Sequence, residues 1–328
     1  MKRHLKSVLL VLTLALGVSA SAQAVTFYTA GPAGLANALA AAFTAATGTP
    51  VEVYQATSGD VLARLESERG NPRADVVVLA SWGEGQNLMS RGYVADYVSP
   101  EVSALHPGWS EGGLAAQAGA ALAIVVNTNE VSEDEYPSSW FDLLQPQWSE
   151  AITMPDPSLS GSAAEFVAIF DQNFGARAWE LLTGLAEEGM SVPGPNNAAL
   201  NPVLSGERRA TIAAVDYLTY GQIRNGEALA VIYPDEGTAV ALRPVFLQDG
   251  APNPAGGQAF IDFMLSEEGQ ALVADVLLIP SRVGVPALRP VPGEFVELPA
   301  DNALVAQSVT GLVERFRVEI FEGIVQKR

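Results

Sequence analysis

Apolar residues in this chain follow two rhythms. Short runs bounded by turn-forming residues alternate with longer stretches whose apolar positions recur every three or four residues. VTFYTAG (Val25–Gly31) reads as a strand ending in a small-residue turn. GLANALAAAFTAATG follows with helical spacing and Gly48 as its stop. PVEVYQATSG predicts a strand and a loop, and DVLARLESERG a helix closed by Gly70. ADVVVLASW is apolar on both faces, as in a buried parallel sheet, and GQNLMSRGYV predicts a short helix. This alternation predicts an α/β fold on a mostly parallel sheet. In such sheets ligands bind beyond the carboxyl ends of the strands. Those ends carry Thr29, Ala30 and Gly31, then Ser58 and Gly59, then Ser81 and Trp82.

A second unit of the same kind follows. AALAIVVNTNEV predicts a strand, and PSSWFDLLQPQW a helix between prolines. AITMPDPSLSGSAAEFVAIFDQNFG reads as a strand, a Pro-rich turn and a helix opening at Ser160, Gly161 and Ser162. ARAWELLTGLAEEG is an amphipathic helix, and GPNNAALNPVLSGERR a loop and helix. ATIAAVDYLTYGQIRNG is a strand running into a helix, and LAVIYPDEG another strand. TAVALRPVFLQDGAPNPAGGQAFIDFMLSEEGQALVAD then predicts a strand, a loop and one long helix. No repeat of solenoid period and no low-complexity tract interrupts this order.

The N-terminus changes the picture. MKRHLKS is basic, VLLVLTLALGV apolar and SASAQA small, with Ala22-Gln23-Ala24 fitting an A-x-A cleavage motif. Cleavage after Ala24 and export to a periplasm or the exterior are expected. The apolar run is short for a span and no stop-transfer pattern follows, so membrane insertion is not expected. Formal charge is −19, and losing Lys2, Arg3 and Lys6 with the leader makes it −22. That balance argues against nucleic-acid or anionic-membrane partners. The chain has no cysteine, and beyond the leader its one histidine is His106, in the Gly/Pro-rich SALHPGWSEGG. Thiolate catalysis, disulfides and His- or Cys-rich metal sites are excluded, and a Ser-His-Asp triad would have to use His106. No cofactor is expected. The 304 residues left after the leader (328 minus 24) suit one two-lobed unit.

Five stretches carry a resemblance. They are FTAATGTPVEVYQATSGDVLARLESERGNPRADVVVLAS, MPDPSLSGSAAEFVAIF, AAVDYLTY, VIYPDEGTAV and NPAGGQAFIDFMLSEEGQ. Together they resemble the extracellular solute-binding proteins of ABC importers, in the group with ferric-iron, phosphonate, sugar-phosphate and thiamine binders. The resemblance implies a type II periplasmic-binding-protein fold: two α/β lobes joined by crossing segments, with the ligand held between them by hinge closure. It implies lobes of about 25–122 plus 236–287 and 123–235 plus 288–328. It also implies a monomer that is not an enzyme and hands its solute to a membrane permease.

The same resemblance places the ligand among Thr29, Ala30, Gly31, Ser58, Gly59, Ser81 and Trp82 of one lobe and Ser160, Gly161 and Ser162 of the other. Serine and glycine at a helix start offer a hydroxyl and free N–H groups to an anion, although the same serines serve as ordinary helix caps. Asp216 and Tyr217, in VDY, resemble the phosphonate and organophosphate branch, with Asn197 beside Asn196 adding an amide. Asp216→Ala is then expected to abolish binding and leave the fold intact. A ferric-iron alternative would use Tyr217 and Tyr220 as metal ligands with a synergistic anion. A secreted hydrolase using paired acids such as Asp156 and Asp216 is a second alternative. No arginine falls in the cleft loops, and Arg243, Arg282 and Arg289 have no assigned place.

Overall fold

The computed structural model describes residues 23–326, so all but the last two residues of the expected leader at 1–24 lie outside the described residues. The first unit runs β1 (Val25–Thr29), α1 (Ala33–Thr47), β2 (Val51–Gln55), α2 (Ser58–Ser67), β3 (Val76–Val78) and α3 (Trp82–Ser90). Gly48 ends α1 in the left-handed conformation, φ 73°, its N–H donating to the Thr44 carbonyl. After β4 (Ser110–Glu111) comes β5 (Leu114–Asn127), buried throughout its length. The second unit runs β6 (Ile152–Thr153), α4 (Gly161–Phe174), α5 (Ala176–Glu187), α6 (Asn196–Leu204), β7 (Ala210–Val215), α7 (Asp216–Arg224) and β8 (Leu229–Ile232). The chain returns through β9 (Val240–Leu247), α8 (Pro254–Leu265), α9 (Glu267–Asp275) and β10 (Ile279–Pro280), and finishes with α10 (Asn302–Phe316) and α11 (Glu322–Gln326).

The main sheet path is β2-β1-β3-β9-β5-β7-β6. β5 is the strand that joins the halves. It pairs with β9 from Ala115 to Ala121 and with β7 from Leu122 to Val126, while β8 lies along Ile124–Asn127. The partner change between Ala121 and Leu122 is where we place the first crossing between lobes. The mostly parallel sheet expected from the sequence holds at the edges, in β2-β1-β3 and β7-β6. It fails at the centre, where β9 runs antiparallel to β3 and β5 antiparallel to every strand it meets. A strand that leaves one lobe for the other, and a strand that comes back, cannot both run with their neighbours.

Each half has its own aromatic centre. Phe27 and Phe43 pack on Phe260 with ring centroids 5.2 and 5.0 Å apart, and Trp140, Phe166 and Phe170 form the other cluster. Losing one such ring costs about 3–5 kcal/mol. Two predicted helices differ. PSSWFDLLQPQW forms two 3-10 turns, Trp140–Leu144 and Pro146–Trp148, because Pro146 breaks the backbone ladder. The long closing helix is two, split where Ser266 leaves helical geometry and caps α9 through the Gly269 N–H. The tail, expected with the second lobe, touches both: α10 packs against α3 and α4. No described helix is long and apolar enough to cross a membrane.

Candidate ligand-binding site

A cavity of about 600 Å³ lies between the two halves. Five helices begin on its wall: α1 at Ala33, α2 at Ser58, α4 at Gly161, α6 at Asn196 and Asn197, and α7 at Tyr217. The first-turn N–H groups of a helix have no partner inside it, and its N-terminus carries partial positive charge. α1, α6 and α7 have no side-chain cap, since Pro32, Pro195 and Val215 stand at their cap positions. α2 and α4 are capped by Thr57 and Ser160, which accept from Asp60 N and Ala163 N.

Arg243 completes the wall. It comes from β9, is 2% exposed, and donates to the Ala30 carbonyl at 2.8 Å. Its Nε has no hydrogen-bond partner, and no carboxylate pairs with it among the described residues. Burial pushes its pKa down, with Tyr217 opposing. Gly31 lies beside it: a Cβ there would press on Thr29 Oγ1 at 2.9 Å and make ordinary contact with Arg243 Nη2 at 3.6 Å. Asn196 donates to Ser160 Oγ at 2.9 Å and Ser162 Oγ at 3.2 Å, leaving its own Oδ1 buried and unpaired. Ser58 Oγ is likewise buried without a partner. Asp60 is the one acid among the described lining residues.

Of the residues singled out from sequence, Ala30, Gly31, Ser58, Ser160, Gly161, Asn197 and Tyr217 line this cavity. Thr29 and Ser162 stand just behind it, Thr29 Oγ1 accepting from Gly31 N at 2.8 Å. Gly59 faces the opposite half, where a Cβ would meet the Ser158 carbonyl oxygen at 2.4 Å. Ser81 and Trp82 are elsewhere. Ser81 is bonded to Glu165, and Trp82 lines a separate cavity with Trp109 and Glu165.

Asp216 is a correction. It is fully buried and off the cavity wall, its carboxylate gripped by both terminal nitrogens of Arg289 and by the Tyr233 hydroxyl at 2.8 Å. Burial pushes its pKa up to about 6, while the Arg289 guanidinium and the Tyr233 hydroxyl hold it down. Asp216→Ala would strand a buried guanidinium, contrary to the expectation of an intact fold. The two tyrosines of the iron alternative are also separated. Tyr217 lines the cavity, whereas the Tyr220 hydroxyl pairs with that of Tyr233 at 3.1 Å, beside the Asp216–Arg289 pair. The paired acids of the hydrolase alternative do not meet at the cavity, since Asp156 accepts from Ser158. Arg243 was missed because its strand arrives from the far end of the chain. Its signal is a lone charge inside the apolar run VALRPVFL.

Known proteins agree with this architecture. The chain is 28% identical over 226 residues to an uncharacterized protein of Haemophilus influenzae, 66% of this chain and 65% of that one, just under two thirds of the relative's length. It is 26% identical over 279 residues to the iron uptake protein A1 of a Synechocystis species, covering 79% and 76%. It is 26% identical over 245 residues to a Salmonella typhimurium protein named provisionally as 2-aminoethylphosphonate-binding and periplasmic, covering 72% and 70%. Among solved structures, the periplasmic binding protein AfuA of Actinobacillus pleuropneumoniae, with fructose 6-phosphate bound, superposes with a TM-score of 0.83 at 21% identity over 91% and 99% of the chains. Iron-bound HitA of Pseudomonas aeruginosa gives 0.79 at 24% over 90% and 99%. These likenesses establish the two-lobed type II fold. The family model of bacterial extracellular solute-binding proteins matches residues 25–275, and the chain belongs to that family.

Proposed function

We propose that this protein captures a small organic anion of the phosphonate or organophosphate type in the cavity and delivers it to a membrane permease. The observation that carries the reading is Arg243, a buried guanidinium that no carboxylate among the described residues pairs with, among five helix N-termini. Desolvating a charge costs several kcal/mol, and an arriving anion would supply the missing partner. The cavity exceeds what a bare oxyanion needs, leaving space for an organic group beside Leu159, Leu218 and Asn197. The phosphonate named for one relative and the sugar phosphate bound by one structural neighbour fit this chemistry. Export through the leader, cleavage after Ala24 and a monomeric state belong to the same reading.

Iron in the names of other relatives supports a second reading. It requires two phenolate ligands, and Tyr220 would have to leave Tyr233 to join Tyr217. A thermal-shift screen of ligand-stripped protein separates the two. Methylphosphonate or fructose 6-phosphate at a hundred- to thousandfold excess over Kd should stabilise by roughly 2–4 kcal/mol, and ferric citrate should not. A shift with ferric citrate alone, with a tyrosinate charge-transfer band, would replace the organic-anion reading with the iron one.

A further inference from the structure

One helix N-terminus at the junction is turned away from the cavity and already has a carboxyl group from the other half bound to it. Ser81 caps α3, accepting from Glu84 N at 3.1 Å, and its hydroxyl donates to Glu165 Oε2 at 2.5 Å. Gly83 N donates to the same oxygen at 3.2 Å. Glu165 is on α4, in the other half of the molecule, and is 2% exposed. No cation pairs with it among the described residues, and the charged groups near it are Glu84 of α3 and Glu297, which lines the same small cavity. α10 covers this joint. A Cβ on Gly83 would lie 2.7 Å from Val305 Cγ1 and 3.3 Å from Glu165 Oε2, so the three helices meet with no room to spare.

Glu165 follows Gly161 by four residues, about one turn of α4. The helix start that faces the ligand cavity and the carboxylate that binds α3 therefore ride on one rigid rod. We infer that Glu165 is a positioning residue for capture: by bonding Ser81 and Gly83 across the junction it fixes α4 against α3 and holds Gly161 at the cavity wall. The inference rests on the capture-by-closure reading, and its test needs no ligand.

The chain has no cysteine, so two can be added freely. Ser67→Cys at the far end of α2 and Ser205→Cys just past α6 are both exposed, at the outer ends of helices whose starts face the cavity. Spin labels there report the separation of the halves by pulsed electron resonance. In ligand-free protein, Glu165→Ala should move the ratio of long to short separations by about tenfold or more, the scale of losing buried hydrogen bonds in a dry site. Glu165→Gln, whose amide oxygen accepts from the same two donors, should restore the short separation. Ser81→Ala, which removes one donor and keeps the charge, should fall between. If Glu165→Ala does not fold, Ser81→Ala and Glu165→Gln decide alone. Unchanged separations in Ser81→Ala and Glu165→Ala, or displacement of Glu165→Gln as large as that of Glu165→Ala, would overturn the inference. A failed phosphonate screen with these shifts intact would overturn the ligand reading and leave the joint standing.

Discussion

Two buried arginines divide this molecule between structure and function. Arg289 meets Asp216 through both terminal nitrogens, and the Tyr233 hydroxyl, itself paired with that of Tyr220, donates to the same carboxylate. Arg243 meets a backbone carbonyl, a tyrosine and an open cavity. Both guanidiniums are out of water, so both carry the cost of desolvation. The first has that cost offset within the fold. The second does not, and the proposed capture of an anion rests on that difference. Helix starts divide the same way: α3 receives Glu165 from within the chain, while α1, α6 and α7 open uncapped onto the cavity.

Breaking the internal pair should have the largest effect. Asp216→Ala or Arg289→Ala should each lower unfolding free energy by about 3–5 kcal/mol in a urea titration, because each leaves one buried charge unpaired. The double variant Asp216→Leu/Arg289→Met should recover most of that loss. Arg243→Leu should behave oppositely. Ligand-free stability should hold or rise, since an unpaired charge is removed, while calorimetric affinity for the stabilising phosphonate or sugar phosphate should fall about 10- to 100-fold. An Arg243→Leu protein as unstable as Asp216→Ala would erase the distinction and make both arginines structural.

The sequence exposes one side of this comparison better than the other. Strand ends such as TAG, TSG and SLSGS announce helix starts locally, because Ser, Thr and Gly there answer to capping and turn chemistry within a few residues. The alternation of elements was legible for the same reason. Pairing of charges is not local. Asp216 and Arg289 lie 73 positions apart, and Arg243 reaches Ala30 across 213. VDY reads as a ligand contact through its resemblance to the phosphonate branch, and nothing within a few residues of it shows that its acid has a partner already in the chain. The antiparallel centre of the sheet was hidden likewise, since strand direction depends on where β9 returns.

A smaller effect should come from the surfaces where the halves touch. A Cβ at Gly59 would sit 2.4 Å from the Ser158 carbonyl oxygen, backbone that cannot rotate aside. Gly59→Ala should hold the halves apart and weaken ligand binding severalfold, on the scale of about 1 kcal/mol for mild overpacking, with little change in ligand-free unfolding. Gly34→Ala is the control: nothing lies within 4 Å of its Cβ, and it should leave affinity unchanged. Equal effects at both glycines would place the Gly59 contact within one half.

The last effect is one of pH, and it is set by the buried acids and not by the guanidiniums. Burial pushes Glu165 up to about 7 and Glu84 up to about 8, with Glu165 adding to the rise in Glu84, and burial raises Glu297 beside them. Their folded pKa values lie above the 4.5 of a free glutamate. The folded state therefore holds protons that the unfolded chain has released. That contribution is complete below about pH 4.5 and is lost as pH rises through 7 to 8. The ligand-free melting temperature should fall between pH 5.5 and 8.5, and Glu84→Gln/Glu165→Gln should flatten the fall. Arg243→Leu should leave the slope alone, because a guanidinium keeps its proton across that range. A slope that survives the double glutamine variant would assign the protons to other groups. A slope that vanishes with it would tie the loss of stability at rising pH to the joint between α3 and α4, away from the cavity wall.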